Sequence, residues 1–541
     1  MAMSVSVTGS SLGDGEAPSS PWTTPQLLLP CLLLLLAWIA ARALEWAWLR
    51  PRRVGRALRS QGIRGTAYRP LAGDAPLAER LGREARARPP LPPGCHDVVP
   101  RVMPLFHHAM EEHGKTSVTW MGPVPRVTIA EPELVRQVLS NKFGHFEKVG
   151  FGQLKKLLHY GVSTHEGEKW ARHRRIVTPA FHLDKLKRML PAFAACCADL
   201  VSRWESLVAD VDGEPCEIDV WPEMQRLTGD VISRAAFGSS YVEGGRIFEL
   251  QGEQVRLAMQ IANKLYIPGY IYLPTRVNRR MKQIAAEIEG ILKGMIAKRE
   301  SAMRAGRELQ GSSDDLLSLM LESNAEQFGS GMSTDDIVGE CKLFYFAGME
   351  TTSILLTWTL VALCMHPDWQ RRAREEVIRV FGADRTPGYD GLSRLKTVTM
   401  VLQEVLRLYT PLPAVHRRTY KPMEVSGVMY PAGVTLALQV LCVHHDRDVW
   451  GPDAGEFRPE RFVEGAARAS SGDAGPAFFP FGWGPRTCIG QSFAMLEAKM
   501  GLAMILRRFE LELSPAYKHA PVSAPMLQPE HGAQVKLRRL P

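Results

Sequence analysis

Cys488 is the residue around which chemistry can be built in this 541-residue chain. It sits in Phe481 to Gly490, FGWGPRTCIG, just ahead of a stretch in which Phe493, Leu496, Met500, Ala503 and Met504 recur at helical spacing. A sulfur at a helix entry meets unpaired amides and the positive end of the helix dipole, which favour the thiolate, a metal ligand. Gly482, Gly484 and Gly490 allow the backbone to approach something flat and bulky. Arg486, two residues before the sulfur, can pair with an anionic group on that object. The competing account of Cys488 is an ordinary buried free cysteine.

Further residue sets have chemistry in them. Trp170 and Arg174, in GEKWARHRR, share a helix face at i,i+4 and offer an indole N–H and a guanidinium to one carboxylate; a solvated basic face is the alternative. AGMETT, Ala347 to Thr352, places Gly348 inside a long helical pattern, where it costs about 1 kcal/mol against Ala. A flat cofactor against the backbone would offset that cost, and so would close helix packing. Thr351 brings a hydroxyl one turn from Ala347, with the acid Glu350 beside it. Glu404 and Arg407, in VLQEVLRLY, are flanked by Val401, Leu402, Val405 and Leu408, so the pair is expected to be buried and fully hydrogen-bonded. PERF, Pro459 to Phe462, follows. LPAVHRRTY, Leu412 to Tyr420, reads as an extended segment after Pro411.

Together these residues resemble the cytochrome P-450 monooxygenases. Phe481, Gly484, Arg486, Cys488 and Gly490 fill the FxxGxRxCxG haem-loop signature, preceded in the expected order by WxxxR, AGxxT, ExxR and PERF. The resemblance implies haem b as cofactor and Cys488 as the axial iron ligand, the type of ligation described for such thiolates. It implies that Trp170, Arg174, Arg417 and Arg486 hold the haem propionates, with Arg418 an open alternative to Arg417. It places Ala347, Gly348, Phe481 and Gly490 against the haem, gives proton delivery to Thr351 and Glu350, and makes Arg461 part of the Glu404–Arg407 network. It aligns Leu412, Ala414 and Val415 with a strand lining the substrate cavity; ordinary strand packing is the alternative. Stretches such as GEKWARHRRIVTPAFH and PFGWGPRTCIGQ are similar to the plant clan that includes secologanin synthase.

The elements that must position these residues are mostly helices. A helix is expected from about Thr334, behind a Ser333 or Thr334 cap with Asp335 and Asp336, to Met365, where His366-Pro367 stops it. TSVTWMG and PRVTIAEP predict short strands of a small sheet. The expected fold is mostly α with a small β domain (α+β), the cytochrome P-450 fold with one N-terminal transmembrane helix. The organisation expected is a disordered tail over 1–20, a transmembrane anchor over 21–48, a basic, proline-rich linker over 49–95 with a stiff hinge at Arg86 to Gly94, and a haem-binding domain over 96–541.

Composition narrows the function. The chain is 45% hydrophobic, ample for one large core, and carries a net charge of +9. That balance suits an anionic membrane surface or an acidic protein. No finger spacing or RNA-binding signature accompanies it, so no nucleic-acid partner is expected. The nine cysteines include no CxxC, which excludes a zinc ribbon or redox dithiol. Gly9 to Gly13 formally matches GxSxG but has no strand-turn-helix context. A run from Leu27 to Ala41, flanked by Trp22 and by Trp46 or Trp48, precedes six arginines between Arg42 and Arg59. An uncleaved anchor is expected, with the body in the cytosol at the endoplasmic reticulum membrane. A cleaved signal peptide is disfavoured because the tail has no basic start.

No GxGxxG fingerprint or flavin half is present, so electrons must come from outside. The resemblance implies NADPH–cytochrome P-450 reductase, with cytochrome b5 as a possible second donor; Lys169, Arg172 and Arg175 are candidate docking cations. The expected reaction is oxidation of an apolar small molecule (a terpenoid, steroid-like compound or fatty acid) by O2. Two alternatives are a haem-thiolate isomerase or dehydratase acting on peroxides, which the presence of Thr351 disfavours, and a non-catalytic membrane haem protein.

Overall fold

In a computed structural model, residues 24–540 are described except 142–143, 145, 150–160, 210–214, 239–240, 263–268, 306–314, 326–330, 383–384 and 471–474. The expected tail over 1–20, Gly9 to Gly13 and Trp22 lie outside the described residues.

The elements used below are, in chain order, helices α1 (Thr24–Leu44), α2 (Arg50–Arg59), α3 (Ala75–Ala87) and α4 (Pro104–His113), strands β1 (Thr116–Met121), β2 (Val124–Ile129) and β3 (Phe146–Lys148), helices α5 (Gly167–Val177), α6 (Leu183–Ala209), α7 (Val220–Phe237), α8 (Thr334–Met365) and α9 (Lys396–Leu408), strands β4 (Val415–Thr419) and β5 (Thr435–Leu438), and helix α10 (Gln491–Arg508). The architecture is mostly α with small sheets, as expected. The largest sheet runs β1-β2-β5-β4-β3; β2 and β5 are parallel and the other pairs antiparallel.

Helix α8 is the axis of the body, and local chemistry sets its ends. The Ser333 hydroxyl accepts from Asp336 N–H at 3.2 Å while the Asp336 carboxylate accepts from Ser333 N–H at 3.3 Å, a reciprocal cap. Pro367 then prevents continuation past His366. Asp336 to Tyr345 and Thr352 to Leu363 are buried, and Phe346 to Thr351 between them are only half-buried. A half-open window midway along a core helix marks internal space. Around it Val231 and Ala235 of α7, Leu402 and Leu406 of α9, and Leu502 and Leu506 of α10 form one apolar core with α8.

Residues 49–95 correct the expectation of a linker. Helix α1 continues through one π turn, Glu45–Leu49, into α2 without a break. Val54, Gly55 and Leu58 of α2 are buried, and a Cβ at Gly55 would lie 3.1 Å from the Trp120 ring. Asp74 binds the Thr66 hydroxyl and Trp120 N–H, each at 2.7 Å. The hinge itself is pinned, with Leu91 N–H on His519 O at 2.8 Å. Six arginines and prolines hide a four-residue apolar spacing, Val54 and Leu58, that packs one face of α2 on the sheet. Helix α1, by contrast, leaves Leu29, Leu32 to Leu36, Trp38 and Ile39 exposed. Its 21 residues reach roughly 32 Å at 1.5 Å per residue, enough to cross a hydrocarbon layer.

Candidate haem-thiolate site

The loop around Cys488 is held by its own backbone. Cys488 N–H donates to Phe481 O at 2.9 Å and Thr487 N–H to Gly484 O at 3.0 Å. Gly484 has φ +71°, and a Cβ there would stand 2.7 Å from Leu139 O, so only glycine fits. Gly490 caps α10. The Cys488 sulfur is reachable although protein encloses most of it. Burial pushes its thiol up from the ordinary range; the Gly490 N–H and the charges of Arg174 and Lys148 pull the other way.

A ring of buried positive charge stands beside that sulfur. Arg417 of β4 pairs in register with Lys148 of β3. Burial first, then the neighbouring guanidinium of Arg486, lower Arg417 to about 10. Lys148 falls to about 7, from burial and the charges of Arg417, Arg486 and Arg174. Glu166 is the one carboxylate answering them among the described residues. It forms an ion pair with Arg486 and accepts the backbone N–H of Lys148 at 2.7 Å. Arg486 also donates to His165 O at 2.7 Å and lies 4.4 Å over the Trp170 ring. Arg174 follows one turn later on α5, half-buried, with no ion pair among the described residues. Four cations against one carboxylate is unfavourable unless anions enter. The set therefore fits a flat group carrying two carboxylates beside its metal. Strand alternation separates Arg417 from Arg418: Arg417 is buried and Arg418 exposed. Lys148 and Glu166 were not legible in the sequence. Lys148 lies on a three-residue strand without pattern, and the only hint of Glu166 is an acid just before the WxxxR helix.

The α8 window holds the other residues expected at the site. The Thr351 hydroxyl donates to Ala347 O at 2.7 Å. Burial raises the Glu350 carboxyl above its ordinary range, while a hydrogen bond with Gln225 of α7 opposes the shift. Gly348, expected against the cofactor, stands close against Ile232 of α7. A Cβ there would lie 2.7 Å from Ile232 Cδ1, so close packing of α7 on α8 explains this glycine.

Behind the loop, Arg407 and Glu404 are fully buried and joined by two bonds of 2.7 and 2.8 Å. Arg407 also donates to the carbonyls of His444, Ala454 and Glu456 at 2.7 to 3.0 Å. Arg461 donates to Trp450 O and Asp453 O and lies 3.7 Å from Glu404. No ligation is left to this network, and its role is structural, as the sequence implies. Lys169 is not a free docking cation: its ammonium binds Asp336 at 2.6 Å, whereas Arg175 is exposed.

Comparison with known proteins agrees with this arrangement. The sequence matches the family described as Cytochrome P450 over residues 101–537. It is 57% identical over 519 residues to Cytochrome P450 CYP72A616 of Paris polyphylla, covering 95% of this chain and 98% of the relative. It is 48% identical over 510 residues to Cytochrome P450 72A15 of Arabidopsis thaliana, covering 94% and 98%. It is 46% identical over 517 residues to echinocystic acid 23-monooxygenase of Saponaria officinalis, covering 94% and 97%. With a cysteine loop of this signature, a cationic cradle and near full-length relatives of this type, the chain belongs to the cytochrome P450 family and is a plant-type P450 monooxygenase.

Proposed function

We propose that the chain oxidises an apolar small molecule of terpenoid, steroid-like or fatty-acid type, with O2 and electrons from an NADPH-dependent reductase. Haem b fits the site, because the cradle sets four cations against the single carboxylate of Glu166 beside one accessible sulfur, an excess that two propionates would offset; this single observation carries the proposal. When bound, haem b supplies the oxygen activation. Cys488 holds the iron. Trp170, Arg174, Arg417 and Arg486, joined by Lys148, hold the propionates. Phe481 and Gly490 on one side and Ala347 on the other give it flat walls. The Glu350 carboxyl, with its raised proton affinity, holds a proton near the reaction, and the Thr351 hydroxyl passes it on. The apolar residues of the α8 window orient substrate and exclude water.

Helix α1 anchors the chain in the endoplasmic reticulum membrane, with the body cytosolic beside the reductase; cytochrome b5 is a second donor. The name of the Saponaria relative, given for oxidation of echinocystic acid at position 23, favours a small organic substrate here also. The test is co-expression with NADPH–cytochrome P450 reductase and a panel of terpenoids, steroids and fatty acids under isotopically labelled O2. The expected product has one labelled oxygen and requires NADPH. Conversion that proceeds without O2 or NADPH would reject the proposal in favour of a rearranging haem-thiolate enzyme.

A further inference from the structure

The five-stranded sheet has one face that does not look like the inside of a protein. Register puts Val118, Val127 and Leu436 on one face, all buried and apolar. The neighbouring positions face the other way. Arg126 of β2 pairs with Thr435 of β5, which also pairs with Arg418 of β4; Thr128 pairs with Ala437, which pairs with His416. Arg126, Thr128 and His416 therefore share the second face with Ser117, the partner of Thr128. Ser117 and Thr128 are fully buried, and neither hydroxyl has a hydrogen-bond partner among the described residues.

Arg126 and His416 are the half-buried charged and titratable groups on that face, with the exposed Arg418 in the row of Arg126. The Arg126 Nε–H donates to Thr119 Oγ1 at 3.1 Å, and the guanidinium lies 4.5 Å above the Phe106 ring of α4. Its two terminal nitrogens have no partner, and it forms no ion pair, among the described residues. The nearest acid whose field reaches it, Asp74, is already committed to Thr66 and Trp120. Neither ring nitrogen of His416 has a partner among the described residues. Burial lowers Arg126 to about 10 and His416 to about 4, where Arg126 and Arg417 add to the effect. Yet both side chains are only half-buried, so they border space that a small molecule can reach. Phe106 and Met110 of α4, Ala414 beside β4, and Phe346 and Met349 of the α8 window are half-buried apolar residues on the same core.

A guanidinium with an open fork, an imidazole without partners and no counter-ion is a donor set arranged for an oxyanion. We propose that Arg126 and His416 seat a carboxylate of the substrate, with the apolar body of that molecule lying along Phe106 and Ala414 toward the α8 window. This deepens the substrate class and rests on the proposal that the cavity takes an organic substrate. A lipid headgroup phosphate shares the chemistry and is the rival source of the anion.

The test uses the full-length, haem-loaded protein in nanodiscs of neutral phosphatidylcholine. Binding of palmitic, abietic and lithocholic acids and of their methyl esters is measured by calorimetry, without reductase or NADPH. At least one acid is expected to bind about tenfold more tightly than its ester. Arg126→Gln should reduce that preference to about twofold or less, and Arg126→Lys should keep part of it. The reduced-CO spectrum of each variant reports an intact thiolate site, and His416→Asn, which leaves the guanidinium in place, provides a second reading if Arg126→Gln fails to fold. No preference in any pair, or a preference that survives Arg126→Gln, overturns the proposal. An acid preference abolished by doping the nanodiscs with phosphatidic acid, in wild type but not in Arg126→Gln, assigns the seat to a lipid headgroup and also overturns it. Because no turnover is read, failure of the oxidase reaction with acid preference intact rejects only the reading under Proposed function.

Discussion

The Phe479 N–H donates to His444 Nε2 at 2.9 Å, and through this bond the buried Arg407 reaches the thiolate loop. Arg407 donates to the carbonyl of the same His444 at 2.8 Å. Burial, then the Arg407 charge, hold the imidazole well below its ordinary range, so it stays neutral and its nitrogen stays an acceptor. Phe479 precedes by two residues the Phe481 carbonyl that receives Cys488 N–H. The Glu404–Arg407 pair thus sets the position of the sulfur without touching it.

Arg407→Lys should therefore cost on the order of 3–5 kcal/mol, because a point charge cannot replace a fork with five buried contacts. The variant is expected to lose haem during purification. His444→Gln should be milder, about 1–2 kcal/mol. Thermal unfolding and the reduced-CO spectrum check both. Full haem content in Arg407→Lys would break the link.

Gly348→Ala should destabilise by about 1–3 kcal/mol through the clash with Ile232. Adding Ile232→Ala should recover most of that loss. A double-mutant cycle in thermal unfolding measures the coupling. Independent effects of the two substitutions would mean that something other than Ile232 requires the glycine.

Thr351→Ala removes the hydroxyl now resting on Ala347 O. NADPH oxidation should continue while product per NADPH falls several-fold. Unchanged coupling would remove Thr351 from proton delivery.

Acid should loosen the joint between the start of the body and the C-terminal region. His519 donates to Cys95 O at 3.1 Å and accepts from Tyr517 at 2.8 Å. Burial lowers it to about 4. Its folded value lies below the unfolded one, near 6.5, so between those two values the unfolded chain binds more protons and stability falls as pH falls. The loss from this group is about 2 kcal/mol at pH 5. Unfolding curves of wild type and His519→Gln at pH 7.5 and pH 5 should show a flatter dependence in the variant; equal slopes would exclude His519 as the source.

Truncation should separate anchor from body at α2. Deleting residues 1–44 should release the protein from membranes while leaving it folded. Deleting residues 1–60 should also unfold the sheet, because it removes Val54 and Leu58 from their packing against the strands. Membrane pelleting and haem content read the two effects apart. A folded product from the longer deletion would return α2 to the status of a linker.

Much of the site was legible because its signals are short-range. The Cys488 loop, the Trp170–Arg174 spacing and both ends of α8 depend on residues within a few positions of one another, and caps, prolines and helical spacing act over that distance. Compositional reading failed at residues 49–95, where arginines and prolines outnumber the few apolar side chains that dock α2. It also left Gly348 open, because the space beside a glycine belongs to whichever helix packs there.

The sequence by itself determined the loop that presents Cys488, the central helix and the order of supporting motifs. Tertiary structure alone decided which cations share one carboxylate at Glu166, that Arg417 turns inward and Arg418 outward, that Ile232 fills the notch at Gly348, and that Arg126 shares a sheet face with His416 and forms no ion pair among the described residues. The reason is that charge compensation and packing are set by through-space distance, and these partners come from strands and helices that only the folded chain brings together.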